Sequence, residues 1–171
     1  MGTTSTIIVS IAAALVLFVV YYYFYQKDKK NIDNEKKAVV AKTSQSLQLQ
    51  AYERLVILAE RIAIPNLVSR SNQPGVNKMD MQLLLTQTIK QEFEHNLSQQ
   101  IYVTTEAWEA IRNLKEQNIH LINQMAAILP AESSGLELNK KLLDFVVHQQ
   151  NGSMHTLVQE ALSHEAKKVM K

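Results

Sequence analysis

Ile7 to Tyr25 carries no charged residue, and with Thr6 it makes an unbroken run of twenty residues. As a helix rising about 1.5 Å per residue, such a run spans about 30 Å, the thickness of a bilayer's hydrocarbon core. The pattern turns polar at "KDKKNIDNEKK" (27–37). Apolar positions return at Leu47, Ala51, Leu55, Leu58 and Ile62. Steps of four, four, three and four define one stripe of an amphipathic helix. No Gly or Pro stands between Gly2 and Pro65, so span and stripe could share one helix, although the polar stretch between them equally suits a break. Pro65 disfavours helical geometry at Ile64 and predicts a stop there.

Residues 66–78, "NLVSRSNQPGVNK", then read as the main loop, with Pro74-Gly75 as its turn. Asn77 or Asp80 can cap the next helix, which places Leu85, Ile89, Phe93 and Leu97 at steps of four. "IYVTT" (101–105) is a brief strand-like alternation. Thr104 or Thr105 can cap a further helix, with Glu106 and Glu109 where the helix dipole favours acids. Its apolar positions are Ile111, Leu114, Leu121, Met125 and Ile128, and with Asn118 they form a heptad-like seam. A polar residue inside such a seam either sets register with a partner or bonds to a neighbouring helix, and the second reading is preferred. "PAESSG" (130–135) ends that helix. A fourth carries Leu138, Leu142, Phe145 and Val146 up to Asn151-Gly152. A fifth runs from Ser153 to the end with Leu157, Val158, Ala161, Leu162 and Val169. The expected fold is all-α: one N-terminal transmembrane helix followed by a four- to five-helix antiparallel bundle. The divisions are an anchor at 1–26, a basic juxtamembrane segment at 27–45 and a cytoplasmic helical domain at 46–171.

Charge orients this arrangement. Residues 27–42 hold six lysines and three acids, whereas 43–171 hold twelve basic and thirteen acidic residues. Lysines on the C-terminal flank alone place the body in the cytoplasm and the N-terminus outside, at an inner membrane. Tyr21, Tyr22, Tyr23 and Tyr25 then belong at the interface, with Lys27, Lys29 and Lys30 reaching the headgroups of the lipid bilayer. "MGTTST" has no basic residue and bulky tyrosines follow the apolar run, so a retained span is expected rather than a cleaved signal. Gly2 and Thr6 fit a myristoylation pattern, which a span makes redundant. Sequons at Asn96 and Asn151 would matter only for a lumenal body.

The near-neutral body argues against nucleic acid as a partner. Absence of Cys excludes disulfides, thiolate metal sites and a Cys nucleophile. Phosphate-binding loops, G-x-S-x-G and H-E-x-x-H are all missing. Glu92 and His95 form one E-x-x-H pair, half of what a carboxylate-bridged metal site requires. With Phe93 at the centre of the apolar face, His95 falls about 160° away from it. Glu116/His120, Asp144/His148 and Glu160/His164 read as solvent-facing i,i+4 pairs. No metal and no cofactor are expected. Arg70, in the supposed loop, reads as a solvated cation.

"LQAYERLVILAERI" (49–62) and "EFEHNLSQQIYVTTEAW" (92–108), with Trp108 and "LIN" at 121–123, resemble a family of small bacterial proteins. The family has one N-terminal span and a helical cytosolic body, and it is a domain of unknown function. The resemblance covers most of the chain and implies architecture without supplying catalytic residues. It directs attention to Glu92, Glu94, His95, Asn96, Gln99, Gln100 and Tyr102, a polar cluster that either joins helices or meets a partner. With Trp108 and Asn118, its members Glu92, His95, Asn96, Gln99 and Tyr102 are the candidate interaction residues. The expected function is that of a membrane-anchored interaction or scaffold protein, with a protein partner or self-association. The alternative is a membrane-bound helical metalloenzyme using Glu92 and His95.

Overall fold

The computed structural model describes residues 2–148 and 154–170; for 3–17 and for 32 it describes the helix but not the side chains. Six α-helices and one 3-10 helix account for these residues: α1 (Gly2–Ile62), α2 (Ile64–Ser71), α3 (Lys78–His95), the 3-10 helix (Leu97–Ile101), α4 (Thr105–Ile128), α5 (Gly135–Val147) and α6 (Met154–Val169). The chain divides into two compact units, Met1–Ser44 and Gln45–Lys171. The all-α expectation holds. The "IYVTT" segment is not a strand: Ile101 ends the 3-10 helix and Thr104 caps α4.

The first unit is helix throughout its described residues. All eight side chains from Phe18 to Tyr25 are exposed, none by less than 46%. Phe18 stacks on Tyr22 and Tyr21 on Tyr25, at 6.4 and 6.3 Å between ring centres. The expected span falls for the most part on residues 3–17, whose side chains lie outside those described. Among the described residues no helix is long and apolar enough to cross a membrane. The basic segment is helical and exposed, Lys27, Lys29 and Lys30 included.

In the second unit the end of α1 buries Ala51, Tyr52, Leu55, Leu58, Ala59 and Ile62, while Leu47 is exposed. The helix ends one residue earlier than Pro65 alone predicts. Ala63 is extended (φ −57°, ψ 132°), and Pro65 sits inside the first turn of a new helix. A proline there gives up an N–H that would have no intrahelical partner, and its ring presets the helical φ. So Pro65 starts α2 as much as it stops α1, and the loop expected over 66–78 is helical as far as Ser71. Ile64, Leu67 and Val68 are buried and hold α2 on the core.

Asn77 caps α3, its Oδ1 accepting from the Asp80 N–H at 2.9 Å. Thr104 caps α4 by accepting from the Ala107 N–H at 3.2 Å. Ser134 and Glu137 form a capping box on α5. α3 packs on α4 and α5, α4 also on α5 and α6, and α2 on α3 and α5. The α2–α3 and α4–α5 connections are zipped together: Gly135 N–H donates to Val76 O at 2.8 Å and Lys78 N–H to Ser133 O at 3.0 Å. Lys78 Nζ also caps the end of α4 through Leu129 O at 2.8 Å.

Several seam positions differ from expectation. Leu97 follows the end of α3 and is exposed. On α4 the seam holds through Ile111, Leu114, Asn118 and Met125, but Ile122 and Ala126 are buried where Leu121 and Ile128 were expected. A straight helix repeats every 3.6 residues and drifts from a 3.5-residue seam by about 20° per heptad, which moves the buried position from Leu121 one residue on to Ile122. Phe145, Leu157 and Ala161 are exposed, whereas Leu138, Leu142, Val158 and Leu162 are core. The stop at Asn151-Gly152 lies outside the described residues.

Candidate binding cleft at the α1–α2 break

A helix that ends inside a packed body leaves carbonyls without intrahelical partners. Three of them at the end of α1 are met by side chains from two other helices. Asn66 Nδ2 donates to Glu60 O at 3.0 Å, Arg70 Nη2 to Arg61 O at 2.6 Å, and Asn118 Nδ2 to Ile62 O at 2.7 Å. Asn118 is therefore buried as the cap of a neighbouring helix. Asn118→Ala would strand a buried carbonyl and is expected to destabilise the body by about 1–2 kcal/mol. Trp108 is the chain's single tryptophan and is buried, so denaturant unfolding followed by its fluorescence will measure this.

Beside these caps lies a cleft of about 420 Å³. Its floor is the break itself, Ala63, Ile64 and Pro65. α4 forms one wall with Glu116, Gln117, Asn118, His120, Leu121 and Gln124; Phe145 and Val146 of α5 and Met154 and His155 of α6 complete it. Among the described residues no Lys or Arg lines it. Behind His155, whose Nε2 is 3.8 Å from Glu60 Oε2, Glu60 also accepts from Gln159 at 2.7 Å and Asn66 at 2.6 Å. Those two hydrogen bonds, and then the imidazole of His155, hold the Glu60 carboxyl below the usual carboxylate range. Clefts of this size, mostly apolar with a few convergent polar groups, are where small ligands bind. On the far side of Phe145 a second hollow continues between α4 and α5, bounded by Met125, Ile128, Lys141, Asp144 and His148.

The polar cluster of 92–102 does not form one surface. Glu92 is only 15% exposed at its side chain. Arg61 Nε donates to both of its oxygens at 2.8 Å, Arg61 Nη2 to Oε1 at 2.6 Å, and Arg70 Nη1 to Oε1 at 3.4 Å. Arg70 is thus not a solvated loop cation; it joins α2 to α1 and α3. Asn96 is buried and closes α3, its Nδ2 donating to Glu92 O at 2.8 Å, so this sequon offers no accessible amide. Trp108 is core, 5.1 Å from the Phe93 ring centre. His95 and Tyr102 are exposed and Gln99 is half-buried. With Glu92 engaged by two guanidiniums and His95 turned outward, the E-x-x-H pair is not assembled as a ligand set. Among the described residues no group of three or more His, Asp or Glu could hold a metal ion. Sequence reasoning missed Tyr52, buried with its hydroxyl accepting from the Thr104 N–H at 3.3 Å.

Burial acts to raise the Glu92 pKa, but the bonds and charge of Arg61, and then of Arg70, prevail and lower it. A carboxyl depressed on folding contributes stability above its unfolded pKa and loses it as pH falls through the folded one. The advantage of the native chain over Glu92→Gln is expected to be full at neutral pH, to shrink below about pH 5, and to vanish in strong acid. Paired urea titrations across that range will show it.

The fold and cleft define an all-helical protein with a mostly apolar cleft and without an assembled metal site among the described residues. Residues 2–169 match the family of unknown function DUF7935, and the chain belongs to that family. No curated protein and no solved structure matches it.

Proposed function

We propose that this is a membrane-anchored helical binding protein whose body is held against the inner face of a membrane. The observation that carries the reading is the sleeve of exposed side chains from Phe18 to Tyr25. A helix apolar on all sides belongs in a core or a bilayer, and these residues continue an uncharged run that begins at Ile7 and meets lysines at Lys27. Lysines on that flank favour a cytoplasmic body. The exposed apolar residues Ile128, Phe145, Val147, Met154 and Leu157 support binding by the body rather than turnover.

The full chain is expected to stay in the membrane fraction under alkaline carbonate, and a reporter fused after Lys171 is expected to read as cytoplasmic. Release by carbonate would overturn the anchor, and an external reporter the orientation. Crosslinking in native membranes is expected to trap a reproducible larger species; repeated recovery of the monomer alone would sink the binding role.

A further inference from the structure

The charges just past the aromatic sleeve of α1 fall on two sides of the helix. With Gln26 at the centre of one face, Lys29, Lys30, Lys36 and Lys37 all lie within about 80° of it, and Asp33 lies among them. Asp28 and Glu35 fall about 160° and 180° away, on the opposite side. Asp33 takes Lys37 at 3.1 Å. Lys29, Lys30 and Lys36 are exposed and enter no ion pair among the described residues. With Gln26 and Asp33 they line one shallow hollow of about 430 Å³. One turn toward the N-terminus, Tyr22 stands on the same face. Its hydroxyl accepts from Gln26 Nε2 at 2.9 Å, which leaves its own O–H to donate. Its ring stacks on Phe18. Along one face, then, apolar rings give way to a hydroxyl donor and next to two ammonium groups.

Depth separates the lysines. Lys29 and Lys30 lie about 6 and 7.5 Å beyond Tyr25 along the axis, Lys36 and Lys37 about 16 and 18 Å. Salt screens charge over about 8 Å, so the first pair alone acts strongly on a surface at the level of Tyr25. Helical side chains lean toward the N-terminus, which turns these ammonium groups back toward the sleeve. An orientation signal needs lysines on the flank but no particular face. We propose that this face seats the headgroup of an anionic phospholipid: the phosphate sits between Lys29 and Lys30, the Tyr22 O–H donates to it, and an acyl chain runs along Tyr22 and Phe18. A zwitterionic headgroup is the poorer fit, because it brings an ammonium of its own to the same lysines. The inference rests on the membrane-anchored reading and names the lipid class that reading leaves open; every residue used lies within Met1–Ser44.

The test reconstitutes the full chain in phosphatidylcholine vesicles carrying a trace of spin-labelled phosphatidylglycerol or spin-labelled phosphatidylcholine. Electron paramagnetic resonance measures the immobilised share of each. Phosphatidylglycerol is expected to be held about fivefold more strongly at low salt, the factor one lysine supplies near a charged surface. Lys29→Gln combined with Lys30→Gln is expected to erase the preference. Lys36→Gln combined with Lys37→Gln removes the same charge at greater depth and is expected to keep it. Tyr22→Phe is expected to weaken the preference without abolishing it. Trp108 fluorescence confirms that the body folds in each variant. Equal retention of the two lipids, or equal loss from the two lysine pairs, would overturn the headgroup site. So would displacement of phosphatidylglycerol by millimolar inorganic phosphate beyond that by chloride of equal ionic strength, since a free anion would then be the ligand. A chain that resists alkaline carbonate but shows no lipid preference sinks this inference and leaves the anchor standing; a chain that carbonate releases sinks both.

Discussion

Trp108→Ala is expected to destabilise the body by about 3–5 kcal/mol, the range for removing a large aromatic from a core. The indole is buried against Phe93, with the rings inclined at 34°, and such a pair adds to simple area burial. The Phe93 ring also carries the Lys115 ammonium on its face, so the truncation loosens α3 and α4 together. Circular dichroism in urea will measure the change, because the variant has no tryptophan left to report. An interface residue would behave oppositely: its loss would leave the midpoint in place and reduce only binding. Trp108→Phe is expected to keep most of the stability, since it retains a ring beside Phe93.

The local signals in the sequence proved the most legible part of the fold. Asn77 and Thr104, each one of two candidates at its helix start, are the caps, because a side-chain oxygen three residues ahead of an orphan N–H is a purely local geometry. The stripe Ala51–Leu55–Leu58–Ile62 is buried as its spacing requires. α2 was hidden because "IPNLVSRS" offers only two turns of pattern and because a proline is read as a stop more readily than as a start. Its signal was the pair Leu67 and Val68, too apolar for a solvated loop.

The cleft was illegible for a different reason. It is built from residues 63–65, 116–124, 145–146 and 154–155, contributed by four helices and the break between α1 and α2. Nothing in their local spacing brings them together. Glu92 shows the same limit. Beside His95 it suggested a metal ligand, but its partners are 31 and 22 residues away at Arg61 and Arg70. A single half-buried carboxylate between two guanidiniums is a joint between helices, and the sequence displayed only half of it. Three capping side chains spent on one helix end argue in the same direction. The break between α1 and α2 is a fixed feature of the body, and the cleft floor built on it is correspondingly rigid.

Gly135→Val is expected to be the second most damaging substitution, at about 2–4 kcal/mol, from overpacking together with a lost hydrogen bond. A Cβ at Gly135 would stand 2.8 Å from Met81 Cβ and 3.0 Å from Val76 O. Neither obstacle is the end of a flexible chain, so α5 must retreat from α3. That retreat pulls on the bond from Gly135 N–H to Val76 O that joins the two connections. Shortening Met81 does not relieve it, because any residue except glycine keeps the offending Cβ. Gly75, in the facing connection, is the control. It has φ of 81° and nothing within 4 Å of a built Cβ, so its requirement is conformational and not steric. Asparagine tolerates that region better than other side chains, so Gly75→Asn is expected to be mild while Gly135→Asn is severe. Measured by Trp108 fluorescence in urea, equal effects at the two positions would mean that contact with Met81 and Val76 is not what keeps residue 135 a glycine.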